Sequence, residues 1–249
     1  METFLICLAV GILAQLIDGT LGMAYGVSCS TFLRTFGISS AMSSACVHLA
    51  EIFTTLVSGI SHISMKNTNL RLVAKLAFPG VIGGVIGAYV LTSVDDSVIS
   101  PIISAYLIVM GFVIFFKMFR KTASEPRKIG KAIYPLAFTG GLSDCIGGGG
   151  WGPIVTSTLV AADQDVRETI GSVNTAEFFV TLAESIMFFF TLGSIREFLP
   201  AVVGLILGGV IAAPIAAYFC KKVPVRALLG VVGLLIIGVN TWKLVTALM

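Results

Sequence analysis

Long apolar runs separated by short polar loops set the pattern of this 249-residue chain. A helix needs about 20 consecutive apolar residues to cross a bilayer. Runs of that kind lie near 40–61, 70–92, 98–118, 168–192, 198–219 and 226–247. Two further regions, 3–33 and 131–160, are overlong for one straight helix, and glycine-rich stretches interrupt both. The pattern predicts an all-α polytopic membrane protein with eight embedded elements.

The two halves of the chain resemble each other. A shift of 126 residues lays DGTLGMAYGVSCSTFL (18–33) over DCIGGGGWGPIVTSTL (144–159), pairing Asp18 with Asp144, Gly22 with Gly148 and Tyr25 with Trp151. The same shift lays VHLAEIFTTL (47–56) over VNTAEFFVTL (173–182), pairing Glu51 with Glu177 and His48 with Asn174. A shift of 125 pairs the two GGVI segments at 83–86 and 208–211. One near-constant offset accounts for all three matches. The expected organisation is a first membrane repeat at 1–117, a basic cytoplasmic linker at 118–131 and a second repeat at 132–249.

Composition agrees. The chain is 56% hydrophobic and 12% charged, with a mean hydropathy of +1.00, whereas soluble domains carry roughly 25% charged residues. Its 27 glycines suit helices that pack closely in lipid. Cys7, Cys29, Cys46, Cys145 and Cys220 form no CxxC pair and no metal-ligand spacing, so they read as small packing residues. The first residues lack the basic stretch of a secretory signal. Nothing in the pattern points to nucleic acid, a cofactor or a metal.

Charge placement bears on orientation, because Lys and Arg collect on the cytoplasmic side of short loops. If every segment crosses once, one side carries 11 of these residues and the other 5. If the two overlong regions are re-entrant, that side gains Arg167, Lys221, Lys222 and Arg226 and loses Arg196 and Lys243. The balance becomes 13 against 3. The second arrangement is the expected one. It gives two inverted-topology repeats, each a broken or re-entrant helical hairpin plus three transmembrane helices. Both counts place no Lys or Arg inside a spanning segment.

Inverted repeats with broken helices are a transporter architecture. Unpaired backbone is tolerated in lipid only where protein buries it or a cavity wets it, and half-helix N-termini favour anions. SDCIGGGGWGP (143–153) fits: Gly147, Gly148, Gly149, Gly150 and Gly152 let a ligand approach the backbone, and Pro153 suits a helix start, leaving amides free for an anion. Gly22 repeats this in the first half, with Trp151 and Tyr25 as aromatic walls of the cavity or as packing groups. Asp18, Asp144, Glu51, Glu177 and Glu184 lie within apolar stretches, where ionisable groups are functional candidates. Asp18 and Asp144 can cap the breaks. Glu51 and Glu177 are candidate proton or cation sites with His48 and Asn174 as hydrogen-bonding ligands and further candidate substrate contacts, since a carboxyl in such surroundings can exchange a proton near neutral pH. Glu184 is weaker evidence, because its counterpart is Ser58. His62, Thr156, Ser157 and Ser172 can line a polar path, and Ser172 joins the candidate substrate contacts.

GGGGWGPIVTSTL (147–159) and IGSVNTAEFFVTLAES (170–185), with a degenerate first-half copy, resemble the sulfite exporter TauE/SafE family, also called the sulfonate uptake permease family. The resemblance covers almost the whole chain. It implies a multi-pass carrier in the bacterial cytoplasmic (inner) membrane for sulfite, organosulfonates or related small sulfur-containing anions, with no covalent cofactor and a site between the two hairpins. The first copy departs from the glycine-rich pattern at Met23 and Ala24.

Transport coupled to a proton or cation gradient is therefore the expected function. A passive anion channel and an intramembrane aspartyl enzyme are the alternatives. Such proteases pair YD with GxGD, whereas here the aspartates stand in LIDGT and LSDCI. The expected partners are a small anion and the lipid bilayer, and exposed apolar surface leaves room for a homodimer.

Overall fold

The computed structural model describes residues 2–117, 119, 130–162, 165–193, 195–219 and 226–248. Most of the basic linker and of the KKVPVR loop lies outside these residues, with Cys220, Arg120, Lys121, Arg127, Lys128, Lys221 and Lys222.

The described residues form ten α-helices: α1 Glu2–Leu21, α2 Tyr25–Thr35, α3 Ser40–Ser64, α4 Leu70–Ser93, α5 Asp96–Lys117, α6 Ile133–Gly147, α7 Ser157–Ala161, α8 Val166–Thr191, α9 Leu199–Phe219 and α10 Arg226–Leu248. A π-turn, Gly152–Thr156, leads into α7. By length and composition, α1, α3, α4, α5, α8 and the Arg196–Phe219 stretch can cross a membrane, and α10 adds the apolar stretch Gly233–Thr246. The six apolar runs of the sequence are therefore helices, matched to within three residues. Each overlong region is two helices with a break between them.

Polar side chains start several of these helices by binding their first free amides. Asn69 Oδ1 accepts from the amides of Arg71 and Leu72, and Asp165 Oδ1 accepts from Glu168 at 2.7 Å.

Small residues set the packing. Gly11 of α1 meets the Leu205 backbone and Gly19 meets Ala216, while Gly204 and Gly208 of α9 meet Phe4 and Leu8. Residue numbers rise together, so α1 and α9 run parallel. In the same way Gly83 and Gly87 of α4 meet Phe138 and Leu142 of α6, making that pair parallel too. Helices α3 and α8 run antiparallel, with His48 at Glu184, Ser58 at Asn174 and Asn67 at Arg167.

These pairings fix where the hairpins open. Helix α2 returns to the bundle end at which α1, α3 and α9 begin, whereas α7 returns to the end at which α4, α6 and α8 begin. Two apolar clusters pack the matching groups: Tyr25, Leu33, Val47 and Ala50 in one, and Trp151, Leu159, Val173 and Ala176 in the other. Phe78, Phe116, Phe189 and Phe190 point outward. Water would penalise that surface; hydrocarbon does not.

One expectation fails here. Arg34 lies inside α2 and is buried, not in a loop, and the half-buried Lys243 lies inside α10. Arg34 Nη2 donates to the carbonyl and hydroxyl of Ser100 and to Ser104 Oγ, and Nη1 donates to Asn240 Oδ1. Its guanidinium thus ties α2 to α5 and α10.

Candidate functional site

The two breaks touch each other between α3 and α8. A Cβ on Gly26 would stand 2.6 Å from Gly149 Cα, and the Thr156 hydroxyl donates to the Gly22 carbonyl at 2.6 Å. Ser44 of α3 donates to the Cys145 carbonyl at 2.7 Å, and Ser30 of α2 to that of Gly147 at 3.4 Å.

Asp144 organises the second break. The amides of Gly148 and Gly149 donate to its backbone carbonyl, and those of Gly150 and Trp151 donate to its Oδ1 at 2.6 and 2.9 Å. The chain can fold back this tightly because Gly148 and Gly149 hold φ of 64° and 144°, values that side chains disfavour. Asp18 does the same in the first half: Gly22 donates to its carbonyl and Tyr25 to its Oδ1 at 3.4 Å. The expectation of free amides waiting for an anion is thereby corrected. Four successive amides of the glycine run, from Gly148 to Trp151, are satisfied by Asp144 itself.

The other oxygen of Asp144 faces inward. His48 Nε2 lies 3.5 Å from Asp144 Oδ2, 2.9 Å from Glu184 Oε2 and 3.9 Å from Glu51 Oε2. His48 Nδ1 sits 2.6 Å from the Ser44 carbonyl, so that nitrogen carries the hydrogen and Nε2 is turned toward the acids. All four residues are buried. Glu177 and Asp18 are buried as well.

The repeat is asymmetric at this point. The 126-residue shift maps His48 and Glu184 onto Asn174 and Ser58. Ser58 Oγ donates to Asn174 Oδ1 at 2.9 Å. One side of the interface between α3 and α8 holds an imidazole among acids; its counterpart holds a neutral hydrogen bond.

Several other predicted residues make hydrogen bonds or close contacts within the bundle. Trp151 is fully buried, donates from Nε1 to the Val173 carbonyl at 3.2 Å and lies over Gly80 and Gly140. Tyr25 is buried and donates to the Leu205 carbonyl at 3.1 Å. Ser172 donates to the Glu168 carbonyl and accepts from the Asn69 amide, away from the acids. Gly152 packs on Gly22 and Met23. His62 Nε2 sits 3.2 Å from the Gly19 carbonyl, under the tip of α1.

Sequence reasoning undervalued Glu184 and missed Tyr106. Glu184 is the nearest acid to His48, and its only signal was its own charge in an apolar stretch. Tyr106 of α5 covers Gly147 and Gly150, where an added Cβ would strike its ring and its hydroxyl respectively. A cavity of about 410 Å³, lined by Met42, Ala45, Leu49, Ser185, Phe188 and Leu192 among others, lies one helical turn from the acids. The ring of Phe188 stands 5.9 Å from that of His48, between the two. None of the residues predicted to bind substrate lines this cavity.

Fold and centre together define a polytopic helical membrane protein whose two broken helices close over buried acids. The pattern of the sulfite exporter TauE/SafE family matches residues 7–241, and the chain belongs to that family of membrane transporters. It is 39% identical over 251 residues to the "Probable membrane transporter protein YtnM" of Bacillus subtilis (strain 168), covering 98% of this chain and 84% of that protein. No solved structure gives a significant match.

Proposed function

We propose that this chain is a secondary transporter that moves small sulfur-containing anions, such as sulfite or organosulfonates, across the bacterial cytoplasmic (inner) membrane. In this reading the repeats 1–117 and 132–249 insert with opposite orientation, joined by the cytoplasmic linker 118–131. The carrying observation is the convergence of His48 and Glu51 from the first half with Asp144 and Glu184 from the second.

The chemistry of that centre argues for coupling. No described Lys or Arg lies within ion-pair distance of these acids, and the glycine-run amides are taken. An anion placed beside several carboxylates in low dielectric is repelled. It becomes tolerable only when protons or a cation accompany it, so anion movement is tied to the movement of positive charge. Family membership supports the sulfur-anion class. The substrate passes between the hairpin tips, where Gly22, Gly26 and Gly148–Gly150 keep the backbones close. Phe189 and Phe190 face lipid or, in a homodimer, a second copy.

The test is purified protein in liposomes, with sulfite and sulfonate flux measured under imposed pH and sodium gradients. Flux that follows one of the gradients is expected. Absence of flux for every sulfur oxyanion would overturn the substrate class, and flux indifferent to both gradients would select a passive channel.

A further inference from the structure

The unpartnered atoms of the acid centre point to a ligand of their own. His48 Nε2, Glu51 Oε2, Asp144 Oδ2 and both carboxyl oxygens of Glu184 are sealed from solvent and lack a hydrogen-bond partner. His48 Nε2 and Glu184 Oε2 are close, at 2.9 Å, but not aligned as a hydrogen bond. Buried polar atoms are normally satisfied, and several orphans facing one point mark a missing partner.

Their spacing suits a metal ion. One ligand atom from each of His48, Glu51 and Asp144 lies within 4.8 Å of the others. Ligands about 2.0–2.2 Å from one ion stand roughly 3–3.5 Å apart. The separation of 3.5 Å from His48 to Asp144 already matches, and Glu51 at 3.9 Å needs a shift of a few tenths.

The surrounding bonds have the form of an outer shell. A metal-binding imidazole donates its second N–H to a carbonyl or carboxylate, and a metal-binding carboxylate is held by hydrogen bonds of its own. His48 Nδ1 is fixed by the Ser44 carbonyl, and Asp144 Oδ1 by the Gly150 and Trp151 amides. In each residue one atom is anchored and the other is bare. Charge points the same way. Three ionised carboxyls beside a neutral imidazole would leave three negative charges in an apolar interior, whereas a dication leaves one. Magnesium and calcium prefer oxygen alone, so the imidazole nitrogen selects the first-row transition series.

We propose that a divalent first-row transition-metal ion binds between His48 and Glu51 of α3 and Asp144 of α6, with Glu184 of α8 beside the imidazole as a further negative charge. The binding site stands on geometry and does not depend on which anion is carried. A role in transport does rest on the function proposed above: the ion would fasten the two halves together and supply the positive charge that an anion finds nowhere else at this centre.

The experiment uses the full chain in detergent, stripped with a chelator and dialysed against manganese, cobalt or zinc chloride alone. Elemental analysis should give about one ion per chain, and cobalt should produce a visible absorption band. His48→Gln and Glu51→Gln should each weaken binding at least tenfold. Glu168→Gln, on the exposed start of α8, should bind as the parent does. Metal-free melting of the two site variants near that of the parent would show that they fold. No stoichiometric ion, or equal retention by His48→Gln, would overturn the site. Binding without flux of any sulfur anion would sustain the site and sink the transport reading; flux without binding would do the reverse.

Discussion

At the residue scale, the breaks make sharp demands. Gly149 combines a φ of 144° with the backbones of Gly26 and Val27 pressed against the place of its missing Cβ. Gly149→Ala should therefore lower stability by about 2–4 kcal/mol, read as a fall in melting temperature in detergent, since strain and clash add. Ala24 is the opposite case, a buried non-glycine at φ 94° where the second half has Gly150. Ala24→Gly should raise stability by about 1 kcal/mol by relieving that backbone, and an unchanged or lowered melting point would count against strain there. The acids give a kinetic prediction. Glu184→Gln should cut coupled flux in liposomes at least tenfold, because it removes the acid nearest His48. Glu177→Gln should uncouple flux from the gradient, and an unaltered gradient dependence would return Glu177 to a packing role.

At the scale of elements, α2 is a short broken helix anchored at both ends. Its start abuts the second break through Gly26, and its end is held by Arg34, whose fork reaches Ser100, Ser104 and Asn240. Hydrogen bonds to a charged donor are each worth about 1.5–3 kcal/mol in a low-dielectric place. Arg34→Ala should cost about 3 kcal/mol in thermal unfolding, because Ser100, Ser104 and Asn240 all lose their charged donor. Arg34→Lys should recover only part of this, because an ammonium cannot reproduce the planar fork. Full recovery by lysine would show that charge alone matters. The sequence marked Arg34 as a loop charge because it follows the apolar run. The helix continues past that run, and only its packing against α5 and α10 reveals that the arginine is buried.

At the scale of the whole molecule, hairpins that open at opposite ends of the bundle give a topological prediction. Arg71→Cys and Glu197→Cys should be labelled by an impermeant maleimide from opposite faces of the membrane, Arg71 from the cytoplasm. Labelling of both from one face would mean that the overlong regions cross once and the halves are not inverted. Both positions are exposed and the described native cysteines are buried, so with Cys220→Ser in both variants background labelling should be low.

The apolar runs by themselves determined the helices, because in lipid a backbone must satisfy its own hydrogen bonds and a run of about 20 apolar residues leaves helix as the answer. The 126-residue self-match likewise located the breaks that follow Asp18 and Asp144, since four glycines in a row cannot sustain a helix. Tertiary structure alone decided what those breaks do. It turned the glycine amides onto Asp144 instead of outward, buried Trp151 and Tyr25 in packing, and brought His48 and Glu184, 136 positions apart in sequence, to 2.9 Å. Periodicity reports which face of a helix is apolar, but where two faces meet depends on the antiparallel register of α3 and α8. Close glycine contacts across the halves set the packing around it, and no single stretch of sequence contains them.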